Sequence, residues 1–249
     1  KRGESVAFTN AYAGNLRDLA DYIEKYAKCS GKKDLEVAEE MQILFTDDAA
    51  LYDSIEKKNE LLMKYAKLCR HNISGKKISI PVEDVTKSLR NKSEWMMEHI
   101  RKTEWVTDED GDGWFNGYYD NNGRQVEGVK DDQVRMMLTG EVFSIMAGTA
   151  TKEQIASIAK SADKYLYSGE IGGYRLNTDF HELKTDMGRM FGFAYGEKEN
   201  GAVFSHMAVM YANALYSQGF VKEGYKVLNT LLHAAMNFES SYMYPGLPE

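Results

Sequence analysis

The chain has 249 residues, 43% of them hydrophobic, 28% charged and 12% aromatic; that apolar content can offset the entropy of folding and excludes wholesale disorder. Its 38 acidic and 31 basic side chains leave a net charge of −7 with no dense basic patch, which argues against a general nucleic-acid binder or an anionic-membrane binder. Two cysteines, Cys29 and Cys69, are too few for a disulfide framework and are expected as reduced core residues.

The opening run KRGESVAFTNAY lacks the apolar stretch of a signal segment, and no run of about 18 apolar residues occurs anywhere, so a soluble, cytoplasmic protein is expected. Residues 14–28 place Leu16, Leu19, Ile23 and Tyr26 at helical spacing between charged residues, which predicts an amphipathic helix. The same period predicts helices over 34–46, 48–71 and 81–102, with Pro81 as a first-turn proline ahead of Glu83 and Asp84. After a long irregular segment, helices are expected over 131–147, 151–167, 202–218 and 220–238. The second of these opens on Thr151 as N-cap, with Gln154 three residues on. The other two prolines, Pro245 and Pro248, leave helix interiors unobstructed from 82 to 244. The predicted fold class is all-α, an array of helix pairs, and the pattern leaves a toroid and a solenoid both open. Met136, Met137 and Met146 in one helix, and Met207 and Met210 in another, read as core fillers. His71, His99, His181 and His233 are scattered without ligand spacing, so no metal site is predicted.

Two segments break the helical pattern, 106–130 and 168–201, and both are rich in Gly, Asn, Asp and aromatics. Long structured loops in a helical array tend to carry function. Asp108, Asp110, Asp112 and Gly113 match the opening of a calcium loop, but its twelfth position is Tyr119 where a bidentate glutamate is needed, which argues against calcium. Trp114, Tyr118 and Tyr119 beside Asp120, Asn121 and Asn122 have the composition of a sugar site, with flat faces for pyranose C–H groups and polar ends for hydroxyls. Taken alone, the same residues are read better as aromatic core packing with turn residues. In the second segment a polar turn, Gly196 to Gly201, leads into a helix start, where free N–H groups favour an anion and His206 adds a donor.

At these residues the sequence resembles the inverting glycoside phosphorylases of glycoside hydrolase family 94. Lys198-Glu199-Asn200-Gly201-Ala202-Val203-Phe204-Ser205-His206 resembles the family's K-E-N-G-G-x-F-x-H block, with Ala202 in place of a glycine. The run Tyr244-Pro245-Gly246-Leu247-Pro248-Glu249 and the run GGYRLNTDF from Gly172 resemble the branch acting on cyclic glucans and β-1,2-oligoglucans. The similarity covers about residue 105 to the end, with the first hundred residues matching only as helices. It implies an (α/α)6 barrel, phosphorolysis of a β-glucoside, and no cofactor beyond phosphate as substrate. Lys198 and Glu199 would hold the sugar, with Tyr118, Tyr119, Trp114 and Arg175 around it, and His206 would bind phosphate.

Family members carry D-W-N-D, with the second Asp as general acid. Counting back from Val134, taken as the valine of the family's G-E-S-V helix, places that acid at Asp120, with Asp112 beside Trp114 as its competitor. The family's downstream Thr-Gly phosphate loop and upstream Arg-Asp block have no counterpart, so all 249 residues are expected as part of one barrel from a longer polypeptide, inactive alone. The resemblance also implies a homodimer. An inverting hydrolase on the same barrel and a helical carbohydrate-binding module are the alternatives; a hydrolase needs a second carboxylate to activate water.

Overall fold

The computed structural model describes residues 4–237, which fall into two compact units, residues 12–98 and residues 4–11 with 99–237. The predicted run Tyr244 to Glu249 lies outside the described residues. The first elements in chain order are β1 (Glu4–Ser5) and the long helix α1 (Val6–Ser30). Where a helix is predicted over 34–46, the chain instead forms strand β2 (Asp34–Ala38) and a 3-10 segment, Glu39–Phe45. Leu35 and Val37 alternate with charged neighbours, and over five residues that period of two is hard to tell from a helical stripe. The long-range partner that decides it is β3 (Lys77–Pro81), antiparallel with Leu35 opposite Ile80 and Val37 opposite Ile78.

The predicted helix over 48–71 is two: α2 (Ala49–Tyr52), capped by Asp48, and α3 (Ile55–Leu68), capped by Ser54, whose hydroxyl accepts from Lys57 N. Helix α4 (Val82–Thr103) follows Pro81 directly. The smaller unit gathers Ala20, Val85 and Leu89 into its core, with Leu16, Ile23, Leu35, Phe45 and Ile80 around them. Cys29 and Cys69 are free but not core residues: Cys29 is exposed in the last turn of α1, and Cys69 is the half-exposed C-cap of α3.

The larger unit begins its irregular part with β4 (Trp105–Thr107), β5 (Gly113–Phe115) and β6 (Tyr118–Tyr119). β4 pairs with β5, and β6 returns to pair with β1. The predicted helix over 131–147 starts later than expected, because β7 (Gly128–Lys130) and β8 (Gln133–Arg135) form a hairpin through Asp131 and Asp132, both left-handed. Helix α5 (Leu138–Ala147) follows and ends on left-handed Gly148. Helix α6 (Lys152–Tyr165) carries the predicted cap: Thr151 Oγ1 accepts from Gln154 N while Gln154 Oε1 accepts from Thr151 N.

The short hairpin of β9 (Tyr167–Ser168) and β10 (Gly173–Tyr174) then opens the second irregular segment. Helices α7 (Ser205–Ser217) and α8 (Val221–Met236) close the described chain. The core of this unit joins Trp114, Phe115 and Met136 to Ile145, Ile158, Tyr174, Tyr211 and Leu215. The protein is thus mostly helical, with its strands among the described residues confined to two-stranded ladders. No helix among the described residues is long and apolar enough to cross a membrane.

Candidate functional site

The first acidic turn is closed by the protein itself. Asp108 Oδ1 accepts from Asp110 N (3.0 Å) and Asp112 N (2.9 Å), while its Oδ2 meets Lys164 Nζ (2.8 Å) and Tyr165 OH. Lys164 also bonds Asp110 Oδ2 at 2.7 Å. An ammonium from α6 therefore sits among the carboxylates where a calcium loop would hold its ion. Burial pushes the Asp108 carboxyl up, but the bonds from Lys164, Tyr165 and the Asp112 amide outweigh it and bring it to about 2. Asp112, the competing acid, belongs to this turn, 3.9 Å from Lys160 Nζ.

Trp114 is fully buried, its ring edge-on to Tyr165 and its indole N–H donating to Arg135 O. It is a core residue and presents no face to a ligand, which corrects its place among the sugar-binding candidates. The chain emerges only after Asn116, whose amide bonds Glu104 Oε2 and whose carbonyl accepts from Val126 N and Glu127 N. Tyr119 donates to Glu104 Oε1 at 2.9 Å, so that Tyr118 and Tyr119 are half-buried on a braced segment.

Asp120 ends that segment. Its carboxyl is 2% exposed and accepts from Arg124 N (3.0 Å), Asn122 N (2.8 Å) and Arg124 Nε (2.9 Å). The Arg124 amide foremost, with the Asn122 amide and the guanidinium, holds it below the ordinary carboxylate range. The count that places the acid at Asp120 starts from Val134 as a helical residue, and the structure corrects that premise. Val134 is in strand β8, and the Gly-Glu-Val run of the following helix is Gly140-Glu141-Val142 in α5.

The second turn is braced from beneath and open above. Gly196 N donates to Asn200 O (2.7 Å) and Asn200 N to Glu197 O (3.0 Å), with Lys198 left-handed at φ +51°. Buried Asn177 ties the turn down, donating to Asn200 Oδ1 and accepting from Gly201 N. Gly201 is left-handed at φ +79°, and a Cβ there would lie 2.3 Å from the Tyr195 ring, so both conformation and space require glycine. Arg175 lies under this turn, bonded to Gly201 O at 2.7 Å and stacked on Tyr195, and is a brace for it. Lys198 stands exposed at the tip.

Glu199 projects from the turn into a cavity of about 340 Å³ whose wall also includes Tyr118, Thr139, His206 and four methionines, 137, 187, 190 and 207. Its Oε1 accepts from Arg189 Nη2 at 2.6 Å; its Oε2 is buried without a hydrogen-bond partner among the described residues. Its own amide, then the Arg189 bond, lower its carboxyl against the effect of burial, which keeps it an ionised hydrogen-bond acceptor. His206 is the second residue of α7, whose N-terminus has no side-chain cap. A smaller cavity of about 160 Å³ shares Tyr118 and Met187 with the first and adds Tyr119, Asn121 and Asp186.

The fold thus brings Tyr118, Glu199 and His206 to one cavity and Tyr119 to its neighbour, while Asp120 is next to both tyrosines in sequence but lines neither. Arg189, Met187 and Met190 are not among the predicted residues, and Met137 and Met207, expected as core fillers, line the cavity as well. Met187 and Met190 sit in 3-10 turns, Thr185–Met187 and Met190–Gly192, too short for any periodic signal.

The profile of the "Glycosyl hydrolase 94 superfamily, catalytic domain" matches residues 22–243. The match therefore begins well upstream of residue 105, where the motif resemblance starts. Cellobionic acid phosphorylase of Neurospora crassa is 31% identical over 111 residues, which are 44% of this chain and 14% of that protein. Solabiose phosphorylase of Paenibacillus borealis is 28% identical over 97 residues, 39% of this chain and 12% of the relative. The N,N'-diacetylchitobiose phosphorylase of Vibrio proteolyticus is 28% identical over 99 residues, in the same proportions. The chain matches about an eighth of the length of these curated relatives.

Proposed function

Because this chain belongs to the glycosyl hydrolase 94 superfamily, we propose that it forms part of the (α/α)6 catalytic barrel of an inverting glycoside phosphorylase. The substrate is a β-linked glucose disaccharide or oligosaccharide. A phosphate oxygen attacks the anomeric carbon as the glycosidic C–O bond breaks, a carboxylic acid gives its proton to the leaving oxygen, and α-glucose 1-phosphate results. The observation that carries this reading is the shared cavity: Glu199 with an unpartnered oxygen for a sugar hydroxyl, Tyr118 as an aromatic wall, and His206 at a helix start suited to an anion. Lys198, one residue from Glu199, adds positive charge at the rim. The GYYDN and GGYRLNTDF runs favour β-1,2-linked glucan within the family, with YPGLPE in support.

Asp120 is the acid in this reading, since it follows Tyr118 and Tyr119 directly, whereas Asp112 is tied into the Lys164 turn. To carry a proton Asp120 must be released from the Arg124 and Asn122 amides as well as from the Arg124 guanidinium, a rearrangement assigned in this reading to substrate entry beside Tyr119. The test is a phosphate-dependent assay on the complete enzyme with a β-1,2-linked disaccharide. Glucose 1-phosphate is expected, and Asp120→Asn is expected to cut turnover by about 10³-fold with the circular dichroism spectrum unchanged. Phosphate-independent glucose release would assign a hydrolase. Sugar binding indifferent to phosphate and to Asp120 would assign a binding module. Full turnover in Asp120→Asn with Asp112→Asn dead would move the acid.

A further inference from the structure

The strand edge that leads to Tyr118 has no neighbouring strand on one side among the described residues. Asn116 N donates to Glu104 O, while the N–H groups of Phe115 and Gly117 point the other way. Two buried carboxyls stand in for the missing strand. Glu141, in α5, accepts from Phe115 N with both oxygens (3.1 and 3.2 Å). Glu127, 1% exposed, accepts from Gly117 N through Oε1 and from Met137 N through Oε2, both at 2.7 Å.

These two glutamates are chemically alike but differ in what they hold. Phe115 is a core ring, so the Glu141 bond ends inside the core. Gly117 precedes Tyr118, and Tyr118 and Met137 are both walls of the main cavity. A single carboxyl therefore spans from one wall to the other. The approach is close: a Cβ on Gly117 would come within 2.8 Å of Glu127 Oε1 and 3.3 Å of Gly140 Cα. Burying an acid here carries a cost, since burial pushes the Glu127 carboxyl up to about 8 against the pull of its two amide bonds. An apolar residue would instead orphan two buried N–H groups.

We infer that Glu127 is a positioning residue of the sugar site, its carboxyl fixing the distance between the Tyr118 wall and the Met137 wall. The inference rests on the phosphorylase reading of the cavity, and Glu141 supplies its control. A glutamine at 127 offers one acceptor oxygen and turns an NH2 group towards the second N–H, so one of the two bonds is lost. In the complete enzyme Glu127→Gln is expected to raise KM for the disaccharide by about tenfold with kcat much less affected. Gly117→Ala, which presses on the same bond without changing charge, is expected to do likewise. Glu141→Gln is expected to lower the melting temperature and leave KM unchanged.

A wild-type KM in folded Glu127→Gln, or an equal rise in Glu141→Gln, overturns the inference. If Glu127→Gln does not fold, Gly117→Ala decides alone, and a wild-type KM there has the same force. Should the wild type bind the disaccharide but show no phosphate-dependent cleavage, the phosphorylase reading has failed and the positioning role is read from Kd by calorimetry on the same variants. A wild type that neither cleaves nor binds overturns both.

Discussion

The two glycine-rich acidic turns of this protein, 108–113 and 196–201, have similar compositions and opposite fates. In the first, all three aspartates find partners: backbone amides hold Asp108, Lys164 reaches in from α6 to Asp108 and Asp110, and Lys160 lies 3.9 Å from Asp112. In the second, the polar bracing comes through Asn177, Asn200 and Arg175, and one oxygen of Glu199, a residue of the cavity wall, is left without a partner among the described residues. A carboxylate already saturated by its own fold has nothing left to offer a ligand. The difference between a structural turn and a binding turn is set by which neighbouring elements supply donors.

The comparison is broken most severely at Gly201. Gly201→Ala puts a methyl against Tyr195 in a left-handed backbone position, which is expected to destabilise the protein by about 1–3 kcal/mol and displace Glu199. Thermal melts and the KM for sugar should both report it, and a wild-type KM would mean that Glu199 does not depend on the turn.

Next in size is a pH effect that separates the cavity clamp from the closed turn. Glu127 has its carboxyl raised from an unfolded value of 4.5 to about 8, so the folded state keeps a proton that the unfolded state loses. Its contribution to stability is complete below about pH 4.5 and is lost as pH rises towards 8. The facing groups are Lys130, which lowers that value, and Glu141, which is itself raised by burial and by Glu127. The melting temperature of the wild type is expected to fall across that window and that of Glu127→Gln to fall less; identical slopes would remove Glu127 as the cause.

The smallest effect belongs to the closed turn. Asp108 is depressed from 3.8 to about 2, so its stabilisation is present above pH 4 and lost between about pH 4 and 2. Lys164→Ala should flatten that acid limb of the melting profile and leave sugar binding untouched. A change in KM would tie the first turn to the site after all.

Helices with a full amphipathic stripe were legible because several turns of period 3.6 average out local exceptions. Leu16 and Ile23 of α1 pack on a core and the Thr151–Gln154 cap of α6 is where the spacing put it, while Leu19 and Tyr26 of the same predicted stripe are helical but exposed. The failures are short. Residues 34–38 became a strand because Lys77–Pro81 was available to pair with them, and 131–135 became a hairpin because two aspartates accept a left-handed turn. The site was half legible: Tyr118, Glu199 and His206 belong to recognisable motifs and line one cavity. Trp114 did not reach it, because an aromatic residue in a glycine-rich loop is equally suited to a core, and here Arg135 O and Tyr165 claimed it. Arg189, Met187 and Met190 carried no periodic signal, lying in or between two 3-10 turns.

By itself the sequence determined the mostly helical character, the two irregular segments worth searching, and the motifs that identify the family, because all three are read from neighbours within a few residues. Only the tertiary structure decided which acidic turn is open. That outcome depends on Lys164 lying 54 to 56 residues beyond the carboxylates it neutralises, and on Glu127 joining amides of two cavity walls. Hydrogen-bond saturation is a property of what folding brings together, and a linear pattern does not record it.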